Sequence, residues 1–474
     1  MFRDAARSVG LDFVHLNGAS DQRLLPEILG SGGLFLDFDN DGWLDVFLVD
    51  GGSVADAAAA RRARHRLYRN RGDGTYEDVT GASGIRHGGY GMGACAGDYD
   101  NDGLIDLYVT NVGPNQLYRN AGHGRFTEVP GAGGANPDLW STSCAFLDID
   151  RDGDLDLFVT NYVDAVVNRN PFCGIAGPPP VRDYCHPLMY QPQHSALYRN
   201  SNEKSFEDIS ASSGVGALRG NGLGVAVTDV DDDGWPDVFV ANDAMPNFLF
   251  RNNTNGTFTD IAGAAGVAVT ADGKAKAGMG TAFADFGGNG RPGLIVTNHE
   301  AEMHSLFLSV GGALFSDVTV RSGVGPATRP YVGFGVAFVD YDNDGDLDLL
   351  VTNNGAAVNL LLNEGLARGA QAAGSANALL VRVAGTKSNR SGIGTRLTLT
   401  TGGRRQGREV QSGSSYLTQN DLRAHFGLGA ANRSERLEIR WPNGATEVLA
   451  DLPANHVITV REGEGVVARE PFRR

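Results

Sequence analysis

The nine-residue pattern D-x-D-x-D-G-x-x-D recurs five times in this chain, at 37–45, 98–106, 148–156, 229–237 and 340–348. Four carboxylates crowded into nine residues repel one another unless a cation lies between them. All the side chains offered are hard oxygen donors at alternate positions, and the glycine at position six permits a sharp turn. That is the chemistry of calcium, which takes about six to eight oxygen ligands. The expected side-chain ligands are Asp37, Asp39, Asp41 and Asp45; Asp98, Asp100, Asp102 and Asp106; Asp148, Asp150, Asp152 and Asp156; Asp229, Asp231, Asp233 and Asp237; and Asp340, Asp342, Asp344 and Asp348. A backbone carbonyl at position seven, from Trp43, Leu104, Asp154, Trp235 and Asp346, fills a further place. No helical pattern flanks the loops and no glutamate stands at position twelve, so they are not EF-hands. About five structural calcium ions are expected, each stapling a strand-to-strand turn.

The loops sit inside a longer repeat. Each unit reads as an apolar strand, the loop, a strand ending near Thr-Asn, a Leu-Tyr-Arg-Asn strand, a glycine turn and a Phe-x-Asp-Val/Ile strand. Counting a degenerate copy at Asp285, the loops start 61, 50, 81, 56 and 55 residues apart. A unit of four short strands cannot bury its own face, so copies must stack or close, and a ring of four-stranded blades leaves no long exposed edge. The predicted fold is therefore all-β: a β-propeller over 1–365 with six blades visible in the sequence, then a linker over 366–377 and a small β-sandwich over 378–474. The first residues match the closing part of a repeat that the last unit lacks, so they should complete the last blade. Glycine runs at 88–93, 220–224 and 331–335 precede aspartate loops and fit innermost strands crowding the ring axis.

The degenerate unit, Asp285-Phe286-Gly287-Gly288-Asn289-Gly290-Arg291-Pro292-Gly293, keeps one ligand and is expected to hold no calcium. Beyond it lie His299, Glu300, Glu302 and His304, the one cluster where a transition-metal or acid/base site is conceivable; a polar loop between strands is the plainer reading. Asn242-Asp243 holds the equivalent place in the fourth unit. An insertion over 161–194 should project as a loop on one face, and its Cys173 and Cys185 could pair in an exported protein. Cys95 and Cys144, on core strands, read as buried thiols. The net charge of −16 argues against nucleic acid as the main partner. No apolar run approaches the ~20 residues of a membrane span. With Met1 as native start the chain is expected in the cytoplasm; otherwise it is secreted or periplasmic.

The repeat resembles the FG-GAP/VCBS class of calcium-binding propeller repeats found in integrin α-chain heads. The C-terminal stretch resembles the ASPIC/UnbV domain through Asn389–Arg396, Arg408-Glu409-Val410, Gly413–Asn420, His425–Gly429 and Trp441-Pro442-Asn443-Gly444. The pairing of both halves is similar to the cartilage acidic protein-like family. The resemblance implies an exported calcium-binding propeller acting in adhesion or recognition, with seven blades in the integrin type. The UnbV branch is also encoded in enediyne biosynthesis clusters, which implies an accessory role there.

No nucleophile elbow, P-loop or dinucleotide fingerprint stands out. The leading expectation is a non-catalytic scaffold presenting loops to a protein, glycan or small molecule. The alternative is an enzyme or accessory protein of enediyne-type polyketide biosynthesis, with a pocket at the ring mouth and the 299–304 cluster in it. A lectin-like reading would use Trp43 and Trp235 as stacking platforms.

Overall fold

The computed structural model describes residues 2–56, 63–86, 89–131, 139–165, 170–201, 205–285, 291–299, 302–329, 334–339, 348–351, 357–363 and 377–472. Most of the expected linker, 366–377, lies outside them, as do Asp340, Asp342, Asp344 and Asp346, residues 286–290 and Glu300.

Six antiparallel sheets follow one another among the described residues, five of them four-stranded and the first extended to five strands by a parallel segment from the C-terminal part. Blade two is typical, with strands Tyr90–Gly97, Asp106–Val112, Gln116–Asn120 and Phe126–Glu128. Each aspartate loop joins the innermost strand to the second, and position nine is the first residue of that second strand, as in Asp45–Leu48 and Asp237–Asn242. The blades pack face to face because alternate residues of each sheet are apolar. Leu34, Phe47 and Leu67 of blade one meet Ala94, Leu107 and Tyr118 of blade two. Ala145, Phe158 and Leu197 of blade three meet Val225, Val238 and Phe250 of blade four.

Closure follows the expectation. Phe2–Asp4 pairs antiparallel with Asn359–Asn363, so the N-terminus supplies the outer strand of blade six. Ala5, Val9 and Leu11 then join Val46, Tyr68 and Leu360 in one core between the last blade and the first. Among the described residues the blades number six.

From Asn377 onward two further four-stranded sheets form, packed over Leu379, Val381, Leu397, Leu399, Phe426, Ile439 and Ile458. This C-terminal sandwich is not a separate bead. Its segment 412–419 runs into the ring axis and touches the innermost strand region of every blade. Thr418–Gln419 pairs in parallel with Gly33–Leu34 of blade one. The Ala96 N–H of blade two donates to Gln419 Oε1 at 2.9 Å, and Leu417 N–H donates to Ser143 Oγ of blade three at 3.1 Å. Ser415 and Thr281 of blade five exchange backbone bonds. A Cβ on Gly224 of blade four would press on the Ser415 carbonyl, and one on Gly335 of blade six would collide with Tyr416. Innermost glycines therefore do make room at the axis, and what fills the room is this chain's own C-terminal sandwich. On the opposite side Tyr416 Oη donates to the Leu29 carbonyl at 2.7 Å, and Leu25, Leu29, Tyr162, Cys185 and Tyr190 close over it in one apolar cluster.

One cysteine expectation is corrected. Cys95 and Cys144 are not free thiols: they form a disulfide between the innermost strands of blades two and three. Those strands are neighbours in the ring, which brings the two Cα atoms to 5.8 Å, inside the range a disulfide spans. Cys173 and Cys185 also pair, stapling the two-stranded hairpin Cys173–Ile175 and Val181–Asp183 within the insertion. Phe172, Ile175, Val181, Leu188 and Met189 stand exposed on that insertion.

Candidate metal centres in the aspartate loops

Four of the five predicted loops lie within the described residues, and they share one internal wiring. The position-one carboxylate accepts the N–H groups of positions five and six: Asp98 takes those of Asp102 at 3.0 Å and Gly103 at 2.8 Å. Position four is left-handed in each (Asn40, Asn101, Arg151 and Asp232), and so is the glycine at position six. The position-five carboxylate accepts the N–H of position seven, as Asp41 does from Trp43 at 2.9 Å. Position nine is buried and takes two backbone N–H donors from different places. Asp106 Oδ2 accepts from Tyr99 at 3.1 Å and Oδ1 from Asn120 at 2.7 Å. Asp45, Asp156 and Asp237 repeat this.

This wiring turns the carboxylates inward. Carboxylate oxygens of Asp98, Asp100 and Asp106 lie within 4.8 Å of one another, as do those of Asp148, Asp150 and Asp156 and of Asp229, Asp231 and Asp237. In the first loop the group is Asp37, Asp39 and Asp41. Asp102, Asp152 and Asp233 fall outside the grouped sets, while Asp45 in the first loop follows the position-nine bonding of the others. The sixth loop is described only at Asp348, where its second strand begins.

The residues present fit a hard cation. Oδ1 of Asp39, Asp100 and Asp150 is buried with no hydrogen-bond partner, and an orphaned buried carboxylate oxygen is costly unless something positive meets it. The electrostatics agree. Burial pushes Asp45 and Asp106 up to about 9 and Asp237 to about 8, against their backbone donors. Burial also raises Asp98 and Asp148 to about 7, helped by the neighbouring aspartates. Burial and the neighbouring aspartates thus disfavour the fully ionised set. The donors that would hold an ion are the grouped carboxylates, and an ion there would supply the charge that lets them ionise together.

Partial counter-charge comes from arginines that the ligand pattern did not single out. Arg69 of the first Leu-Tyr-Arg-Asn strand lies 2.7 Å from Asp39 and 3.3 Å from Asp41, and Arg119 pairs with Asp100 and Asp102. From the C-terminal sandwich Arg382 reaches Asp37 at 3.2 Å, while Arg396 and Arg440 reach Asp229 at 3.4 and 3.6 Å. The asparagine of the same strand has its own task. Asn120 Nδ2 donates to the Phe38 carbonyl of the preceding loop, Asn200 to Tyr99 and Asn252 to Ile149, so consecutive loops are latched together.

Of the 299–304 cluster, Glu300 lies outside the described residues, and His304 and Glu302 each accept a backbone N–H. His304 Nδ1 accepts the Asn298 N–H at 3.2 Å, a place held in blades two and four by Asn115 and Asn247. Burial lowers the His304 pKa. Glu302 accepts the Ala277 N–H at 2.8 Å, and His299 is exposed. None of the metal-capable groups among the described residues includes them. Asp243 is bonded by the buried Tyr162 hydroxyl at 2.5 Å. The Trp235 ring already carries the Arg151 guanidinium, 5.3 Å from its centroid, and Trp43 lies beside Gly72.

The chain is similar to known proteins in both of its halves. The model of the FG-GAP-like repeat matches residues 37–109, 98–159 and 229–296, and that of ASPIC and UnbV matches 385–467. Cartilage acidic protein 1 of Xenopus tropicalis is 28% identical over 316 residues, covering 53% of this chain and 47% of that protein. The Homo sapiens protein is 28% identical over 301 residues, covering 51% and 43%. The chain spans about half the length of the curated relatives it matches. Among solved structures, an Agrocybe aegerita lectin specific for non-reducing terminal N-acetylglucosamine aligns at 17% identity and TM-score 0.38, over 71% of this chain and 81% of its own. The BP39L lectin of Burkholderia pseudomallei aligns at 10% identity and TM-score 0.40, over 94% and 99%.

Proposed function

We propose that this chain, a homologue of cartilage acidic protein 1 built of FG-GAP-like repeats and an ASPIC and UnbV domain, is a calcium-stabilised recognition scaffold. The observation that carries this is the buried, unpartnered Oδ1 of Asp39, Asp100 and Asp150 beside the position-one carboxylates. Calcium in the aspartate loops of blades one to four and six would hold the turns from which each second strand starts. The scaffold then recognises from its periphery, because the ring axis is occupied by Tyr416 and Leu417 and covered at the other mouth by Leu25 and Leu29. The contact face we assign is the disulfide-stapled insertion, whose Ile175 and Val181 pair across its two strands and stand exposed together. Rigid apolar side chains gathered on one small hairpin suit a protein partner, since little entropy is lost when they are covered. Two disulfides fit an oxidising compartment, so the protein is proposed to act outside the cytoplasm.

Elemental analysis of the purified, undialysed protein tests the reading and should find four to five calcium ions per chain. Chelation should lower Tm by more than about 10 °C, since several ions bound only by the folded state add their linkage terms. A metal-free protein melting at the same temperature would overturn it.

A further inference from the structure

Blade five differs from its neighbours in what it offers the C-terminal sandwich. At blades one and four, sandwich arginines meet loop carboxylates. At blade five the position-one carboxylate that those arginines meet is kept as Asp285, while positions three, five and nine are Gly287, Asn289 and Gly293. Between Asp285 and Pro292 on the propeller side and the sandwich strands Arg404–Glu409 and Arg433–Arg440 lies a cleft of about 540 Å³. That volume is in the range of small-molecule sites.

Arg408 lines this cleft together with Asp285, Glu409 and Glu447, and its own hydrogen bonds go to backbone carbonyls. Its Nε donates to the His425 carbonyl at 3.0 Å and Nη1 to the Gly407 carbonyl at 2.8 Å, with the guanidinium 5.6 Å from the centroid of the Phe426 ring. Asp285 is near enough to attract it, yet among the described residues no ion pair includes Arg408. Burial pulls the guanidinium pKa down, and the attraction of Asp285 offsets this only in part. At the rim Arg405 and Arg436 share the single carboxylate of Glu438. Phe283, Pro292 and Val448 add apolar wall.

We propose that this cleft binds a small organic anion, with a carboxylate or sulfonate on Arg408 and an apolar body against Phe283, Pro292 and Val448. The planar guanidinium fork favours such oxyanions over a compact cation's choice of partners. The site depends on the blade-five interface alone and stands whether or not the other loops hold calcium.

The probes are benzoate and its neutral isostere benzamide, titrated into the full chain in calcium buffer by calorimetry or ligand-observed NMR. Benzoate should saturate one site and benzamide should bind at least tenfold more weakly. Arg408→Gln should weaken benzoate at least tenfold, with Arg408→Lys in between. Naphthalene-2-sulfonate competing with benzoate would assign the sulfonate to the same place. Should Arg408→Gln fail to fold, phenylglyoxal modification of the wild-type protein, mapped by mass spectrometry, replaces it: benzoate should slow labelling at Arg408 and leave Arg433 unchanged. Equal binding of benzoate and benzamide, or no protection of Arg408, would overturn the assignment.

Discussion

Blades one to four and blade five are the same sheet built around different loops. In blade two Asp106 opens the second strand, ties Tyr99 and Asn120 to itself, and through Asn120 reaches the loop of blade one. In blade five the corresponding residue is Gly293 and the asparagine has become Ser309, so both ends of that tie are gone. The second strand nevertheless starts in the same register, with Ala284 opposite Gly293 and Leu294 opposite Phe307. Strand pairing and the apolar faces are therefore enough to form a blade. What the aspartates add is a connection between blades and a demand for positive charge. Blade five keeps only the position-one Asp285, which attracts the facing Arg408 without forming an ion pair with it among the described residues.

The contrast is broken most directly by substitution at equivalent places. Asp106→Asn should remove one calcium per chain in elemental analysis and lower Tm by several degrees, because it loses an ion and weakens two buried backbone bonds of about 1–3 kcal/mol each. Asp285→Asn should leave the calcium count unchanged. If both variants lose an ion, blade five is not metal-free and the distinction collapses.

The pH response of chelated protein sharpens it next. Burial raises Asp45, Asp106 and Asp237 in the metal-free fold to between about 8 and about 9, far above an unfolded aspartate near ~3.9. Their raised pKa costs nothing below pH ~4, where both states are protonated, and destabilises the fold progressively as pH rises toward 9. In EDTA, Tm should thus fall between pH 5 and pH 8. Calcium should flatten or reverse the slope and release protons on binding, measurable by pH-stat titration at pH 7. A chelated protein equally stable at both pH values would show that these carboxylates ionise freely without metal.

Much of this was legible in the chain because aspartate spacing and repeat period each have one economical solution. The six blades, the N-terminal closing strand and the inward carboxylates follow from patterns of two to sixty residues. What the pattern could not show were contacts between distant segments. Gly413–Gln419 was visible as a motif, but nothing in its spacing says that Leu417 meets Ser143 or that Gln419 meets Ala96. Cys95 and Cys144 read as separate core thiols because their pairing depends on two innermost strands, 49 residues apart, lying side by side. In the sequence Arg69 and Asn120 read as parts of a strand, because their contacts with the loops are made across the blade.

The smallest expected effect tests the latch alone. Asn120→Ala removes donors to the Phe38 and Ile105 carbonyls in a buried place, so a loss of about 1–3 kcal/mol is expected, with the calcium count unchanged because the Asp106 bond comes from the Asn120 backbone. Ser309→Ala, at the same strand position of blade five, should cost well under that, its hydroxyl accepting only a 3.3 Å bond from Gly311. Urea unfolding at fixed calcium reads both. A larger loss for Ser309→Ala would mean that blade five has a tie of its own, and that aspartate and asparagine are not what binds one blade to the next.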